Sequence, residues 1–456
     1  MKRTLQTFAT LCGGTFSGPD RPFTGVCTDT RTLQPGELYF ALRGPNFEGN
    51  AFLAAAAAAG AVAAVVDRDV NASPLPLIRV ADGQAALTQA AAGWRAPYTG
   101  TVIGVAGSNG KTTAKEMTAA ILAQRGACLA TRGNFNNHIG VPLTLLRLAD
   151  TDVNAVIEIG ANRAGEVAAL VAIARPQIGL ITNAGAEHLE GFGDLDGVAQ
   201  AEGEMVAGLP VDGVAILNAD DPYFSLWAGM TRARVVRFGI ETEAEYRAVD
   251  LVQSLGEQGF TQQFTLVAPA GRQAIRLNVG GRHNVRNALA AAAAACSAGA
   301  TLAEVAAGLA AMQPVQGRLQ PRRSHQGAQL IDDSYNANPS SMRAGIDVVT
   351  KLGGQPWLVM GDMGELGEQA TSSHVEIGSY ARAQGIQRVY ATGPLSRLAV
   401  EAFGPGALWF ADTEALARAV DAELTPQVCL LVKGSRSNRL ERVVAALTGQ
   451  PIQQGH

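Results

Sequence analysis

Short apolar runs alternate with amphipathic or alanine-rich stretches along most of the chain, a β-then-α rhythm that argues for an α/β fold of parallel sheets flanked by helices. Residues 101–105, 153–159, 178–182 and 214–218 are each apolar and each end in loop or cap residues, which predicts four strands of one buried sheet. Residues 329–332, 357–360, 388–392 and 428–432 repeat the theme in a smaller unit. Helices are predicted over 112–124 and, rich in alanine, over 287–312. The uncharged run 51–66 is too short and too alanine-rich to span a bilayer, and Gly60 interrupts it. It reads as a buried helix passing into a strand.

Two punctuated stretches divide the chain. Trp94, Pro97 and Gly100 separate an alanine-rich segment from the strand at 101, and Pro314 and Gly317 follow the helix that ends at 312. The expected domains are 1–98, 99–314 and 315–456, in keeping with a length that exceeds what one core organises. A net charge of -4 gives no basic field for a nucleic-acid backbone. The five cysteines are scattered without CxxC spacing, which fits a reducing, cytoplasmic compartment rather than a disulfide framework. Thr4, Gln6, Thr7 and Thr10 interrupt any apolar signal core, so neither a targeting nor a transmembrane segment is expected. Nothing in the pattern forces self-association, and a monomer is expected.

The strongest chemical signal is GVAGSNGKTT, between a predicted strand and a predicted helix. Gly107, Ser108, Asn109 and Gly110 let backbone N–H groups curl around a phosphate. Lys111 reaches the outer phosphates, and Thr112 and Thr113 open a helix whose N-terminus favours an anion. The spacing departs from GxxxxGK, because Val105 stands where the first glycine would. The plainer alternative is a glycine turn before an ordinary helix. Glu158 ends the strand of IEIGAN at the edge where parallel sheets place ligand-binding groups, and there a carboxylate can coordinate magnesium. His188, in ITNAGAEHLEGFG, falls just beyond another strand on that edge. Alone it would read as a structural loop residue.

Together with GNFNNHIGVPLTLL, NADDP, GRHNVRNALAA, DDSYNANPSSM, GDMGELG and VKGSR, these segments make the whole chain resemble the Mur ligase family, the ATP-dependent amino-acid and peptide ligases of cell-wall synthesis. The resemblance implies three domains: a small N-terminal α/β domain that binds a UDP-sugar, a central P-loop-type parallel-sheet ATPase, and a C-terminal Rossmann-like domain that closes over the site. It implies ATP and Mg2+, with Thr112, Glu158 and His188 at the metal. The substrates it implies are UDP-N-acetylmuramoyl-tripeptide and D-alanyl-D-alanine, joined through an acyl phosphate. By the same resemblance, Thr30 and Arg31 of TDTRTLQPGELYFALRG contact the uridine nucleotide and Asn137 holds the precursor. Asn284 and Asn287 lie near the adenine, and Arg318 and Asp333 meet ATP across a domain boundary. Lys433, Ser435 and Arg436 could contact the dipeptide or simply dress a helix N-terminus.

One position departs from the family pattern. Where most members carry a lysine that CO2 converts into a metal-supporting carbamate, AQAEGE has Glu202. Glutamate is a permanent anion, but its carboxylate sits nearer the backbone, so direct metal contact would need a shifted helix or a bridging water. Folylpolyglutamate synthase and the ligase adding the third residue of the same precursor are the nearest enzyme rivals, which DDSYNAN and NNHIGVPLTLL disfavour. A degraded ATP-binding module that only senses nucleotide is the rival from another class, and intact Lys111, Thr112, Glu158 and His188 argue against it.

Overall fold

The apolar runs assemble into three main sheets in a computed structural model that describes residues 3–44, 47–256 and 259–451. The first holds Thr15–Phe16, Leu77–Arg79, Ala63–Val66, Leu38–Phe40 and Val26–Cys27 in that order, parallel except at the Thr15–Phe16 edge. The run at 51–66 is the helix Leu53–Ala58 passing into the strand Ala63–Val66, as its composition predicts.

The second sheet has nine strands, with Thr101–Ala106 between Asn154–Glu158 and Ile178–Ile181. Its packing follows the period-two rule. Val102 and Ala106 face one core and Ile103 and Val105 the other. Glu158 pairs in register with Val105, and Ile181 with Ala106. The loops that follow these three strands therefore meet at one carboxyl edge. The sequence reading missed the far side of this sheet. Tyr246–Gly256 joins it parallel to Arg234–Gly239, Gly259–Ala268 and Gly271–Leu277 extend it as antiparallel strands, and the first hairpin sends Phe260 into the core of the third sheet.

The expected single helix over 287–312 is two, Arg282–Ser297 and Leu302–Ala311. Gly299 takes a positive φ of 93°, where a Cβ would be strained, and Thr301 then starts a new helix with a capping box to Glu304. Alanine content favoured continuity, and cap chemistry overrode it.

The third sheet runs Gln320–Arg323, Gln329–Asp333, Val428–Lys433, Gln355–Met360, Arg388–Thr392 and Ala407–Phe410, all parallel after the first pair. Apolar clusters cover both faces, with Leu358 and Met360 on one and Trp357 and Val359 on the other. Among the described residues no helix is long and apolar enough to cross a membrane.

Candidate active site

The carboxyl edges of the second and third sheets face each other across a cavity of about 890 Å3. It is lined by Ser108 to Thr113, by Asn137, Glu158 and His188, by Asn284 and Asn287, and from the other side by Arg318, Asp333 and Lys433. Most residues singled out in the sequence thus converge from segments more than 300 positions apart.

The cradle forms because Gly107 and Gly110 adopt φ of 117° and 85°, a region side chains rarely enter. A Cβ on Gly107 would lie 2.8 Å from the Thr182 nitrogen. The loop is braced from behind: Ser108 N–H donates to Asn183 O at 2.9 Å, and Thr182 Oγ1 donates to Asn109 O at 2.7 Å. Gly110 then caps the helix Lys111–Leu122 without a side chain, so the helix N-terminus meets the cavity uncovered.

Lys111 Nζ donates to Ser108 O at 3.2 Å and to Glu187 Oε1 at 2.9 Å. Burial works to lower its pKa, but Glu187, Glu202 and Glu158 outweigh it and raise the pKa, so the ammonium is charged. Glu202 accepts the Gly107 N–H at 2.6 Å on Oε2. Its buried carboxyl is pushed up to about 7 by desolvation, against the opposing pull of Lys111. Glu202 therefore braces the cradle backbone.

Thr112 Oγ1 donates to Glu158 Oε1 at 3.3 Å, and Asn136 Nδ2 donates to the same oxygen at 2.8 Å. Glu158 Oε2 is buried with no hydrogen bond, 3.8 Å from Lys115 Nζ, a carboxyl oxygen suited to a hard cation. Among the described residues no three His, Cys, Asp or Glu side chains cluster as a metal site. A cation beside Glu158 would therefore depend on the Thr112 hydroxyl, on His188 in the same cavity wall and on ligand oxygens.

His188 occupies a left-handed conformation, φ 51°, and its Nδ1 lies 2.6 Å from Glu365 Oε2, itself left-handed at φ 61°. The pair joins the second sheet's unit to the third. Asn338 Nδ2 to Asn109 Oδ1 at 2.8 Å and Arg318 Nη2 to Thr112 Oγ1 at 3.1 Å make the same crossing, with Arg318 lying over the Tyr335 ring at 4.3 Å. Asp333 accepts the Leu319 N–H and pairs with Lys433 at 2.6 Å. Asn287 donates to Asn284 at 3.1 Å, and Asn284 to Gly280 O. Asn137 turns its Oδ1 onto the N–H groups of Ile139 and Gly140, opening a helix.

Thr30 and Arg31 stand apart from the cavity. They lie in the N-terminal unit, where Arg31 grips Asp29 in a bidentate pair and is 85% exposed. Sequence reading overlooked Glu187, Asn136 and Lys115. Glu187 adjoins His188 and Asn136 adjoins Asn137, while Lys115 follows Lys111 by one helical turn. Adjacency and i+4 spacing were the available signals.

Fold and site define a class: an enzyme whose glycine-rich loop is enclosed between two α/β units. The chain belongs to the Mur ligase family. It matches the Mur ligase family catalytic domain over residues 22–126, the Mur ligase middle domain over 105–295 and the Mur ligase glutamate ligase domain over 317–436. The UDP-N-acetylmuramoyl-tripeptide--D-alanyl-D-alanine ligase of Escherichia coli K12 is 44% identical, over 97% of this chain and 98% of that protein. The enzyme of the same name from Bacillus subtilis is 35% identical over 99% and 100%. Among solved structures, MurF from Acinetobacter baumannii superposes with a TM-score of 0.90 at 32% identity, covering 99% of each chain. MurF ligase from Thermotoga maritima in complex with ADP gives 0.82 at 26%, over 93% of this chain and 97% of that one.

Proposed function

We propose that this chain joins D-alanyl-D-alanine to UDP-N-acetylmuramoyl-tripeptide with ATP, giving UDP-N-acetylmuramoyl-pentapeptide, ADP and phosphate for peptidoglycan synthesis. The observation that carries this reading is full-length likeness to ligases of that name, together with a cradle and a cavity of the chemistry the reaction needs. It acts as a cytoplasmic monomer of three domains, 1–98, 99–314 and 315–456. The separate sheets support that division, and the five free cysteines suit a reducing compartment.

Gly107 to Thr113 hold the phosphates of ATP, and Lys111 offsets the charge that builds on the transferring group. The tripeptide's terminal carboxylate attacks the γ-phosphorus, the bond to the bridging oxygen breaks, and ADP leaves. The amine of D-alanyl-D-alanine then adds to the acyl carbon, loses a proton, and expels phosphate. Thr112, Glu158 and His188 are the residues that would hold Mg2+, which supplies charge neutralisation at the phosphates when bound. The Glu158 oxygen that has no hydrogen bond fits that role. Asn284 and Asn287 flank the nucleoside, Arg318 and Asp333 approach ATP from the C-terminal side, Asn137 faces the precursor, and Thr30 and Arg31 serve the uridine end. Glu202 keeps Gly107 in place.

The test is phosphate release from ATP with UDP-N-acetylmuramoyl-tripeptide, with and without D-alanyl-D-alanine, in bicarbonate-stripped and bicarbonate-restored buffer. Release that needs both substrates and ignores bicarbonate is expected. No release in either buffer would refute the substrates, and release only with bicarbonate would refute the reading of Glu202.

A further inference from the structure

Lys115 lies one turn beyond Lys111 on the cradle helix and is fully buried. An interior ammonium costs several kcal/mol unless its charge and donors are matched. Here the matching groups come from two sides of the active site. Nζ donates to Thr131 O at 2.6 Å and Gly133 O at 3.3 Å. It also stands 2.7 Å from Glu116 Oε1 and 3.8 Å from Glu158 Oε2.

These contacts form a closed ring. Glu158 N–H donates to Thr131 Oγ1 at 3.0 Å. Beyond the two carbonyls that Lys115 holds, the chain runs on to Asn134, Asn136 and Asn137 in the cavity wall. Asn136 then returns to Glu158 Oε1, the oxygen that Thr112 shares.

We infer that Lys115 is a positioning residue that ties the asparagine-bearing segment 131–137 to the nucleotide-binding helix, so that the precursor side of the cavity is set from the ATP side. The inference rests on the proposed role of Asn137 toward the UDP-linked precursor. Thr131 lies outside the cavity and tests the same ring without touching either substrate.

The experiment uses full-length wild type, Lys115→Met, Lys115→Arg and Thr131→Val, and measures calorimetric binding of UDP-N-acetylmuramoyl-tripeptide and of ADP. Thermal unfolding and KM and kcat are measured alongside. Lys115→Met is expected to weaken precursor binding roughly tenfold, while ADP affinity stays within about twofold. Lys115→Arg recovers most of that loss, and Thr131→Val shifts precursor affinity in the same direction. A folded Lys115→Met with unchanged precursor affinity overturns the inference, as does a loss shared equally by ADP. If Lys115→Met fails to fold, Lys115→Arg and Thr131→Val decide. Normal precursor affinity in Thr131→Val then overturns it, and selective weakening supports it. A wild type that does not bind the precursor overturns the proposed function and this inference with it.

Discussion

Lys111 Nζ and Glu187 Oε1 form a 2.9 Å ion pair between residues 76 positions apart, so the cation proposed to meet phosphate already has a carboxylate partner. Glu202 and Glu158 add to the field around it. Replacing Lys111 by Met leaves these buried carboxylates without their shared cation, a change that costs about 3–5 kcal/mol. The expected outcome is a lowered urea midpoint and loss of detectable phosphate release. Retained turnover would show that the cradle's backbone suffices.

Stability should depend on pH through Glu202. Its folded carboxyl, at about 7, lies above the ordinary value of 4.5, so the folded state holds the proton more tightly. Its contribution is fully present below pH 4.5 and is lost as pH rises through 7. Glu202→Gln keeps the neutral shape and should remove this decline, gaining of order 3 kcal/mol above neutrality. Urea melts at pH 5 and pH 8 check the sign: equal pH slopes in wild type and variant would exclude it.

Gly110→Ala places a methyl against the Asn287 side-chain amide at a φ of 85°. Strain of about 1–2 kcal/mol and displacement of Asn287 should both weaken ADP binding. Calorimetry of the variant against wild type measures it. Unaltered affinity would mean that the cradle does not hold the nucleotide.

The His188–Glu365 contact bridges two units, yet Glu365 is 59% exposed. A pair so open to water contributes under about 1 kcal/mol. Glu365→Gln should therefore leave the urea midpoint nearly unchanged while lowering kcat severalfold, because the contact holds the cavity's two walls together. A parallel fall in stability and kcat would assign Glu365 to the fold alone.

The sequence by itself determined the local features: the inner strands of the second and third sheets, the cradle, the strand-end Glu158 and the helix at 112. Each depends on apolar runs, glycine backbone freedom or cap chemistry, which act over a few residues. It did not show that the alanine-rich stretch at 287–312 breaks at Gly299, since helix propensity argued for continuity. Tertiary structure alone decided that Glu187 meets Lys111, that Glu202 braces Gly107, that Lys115 is buried, and that Glu365 reaches His188. These pairings arise where loops from separate strands gather at one sheet edge. Long-range packing sets which charges become neighbours there, and burial sets how strongly they act on one another.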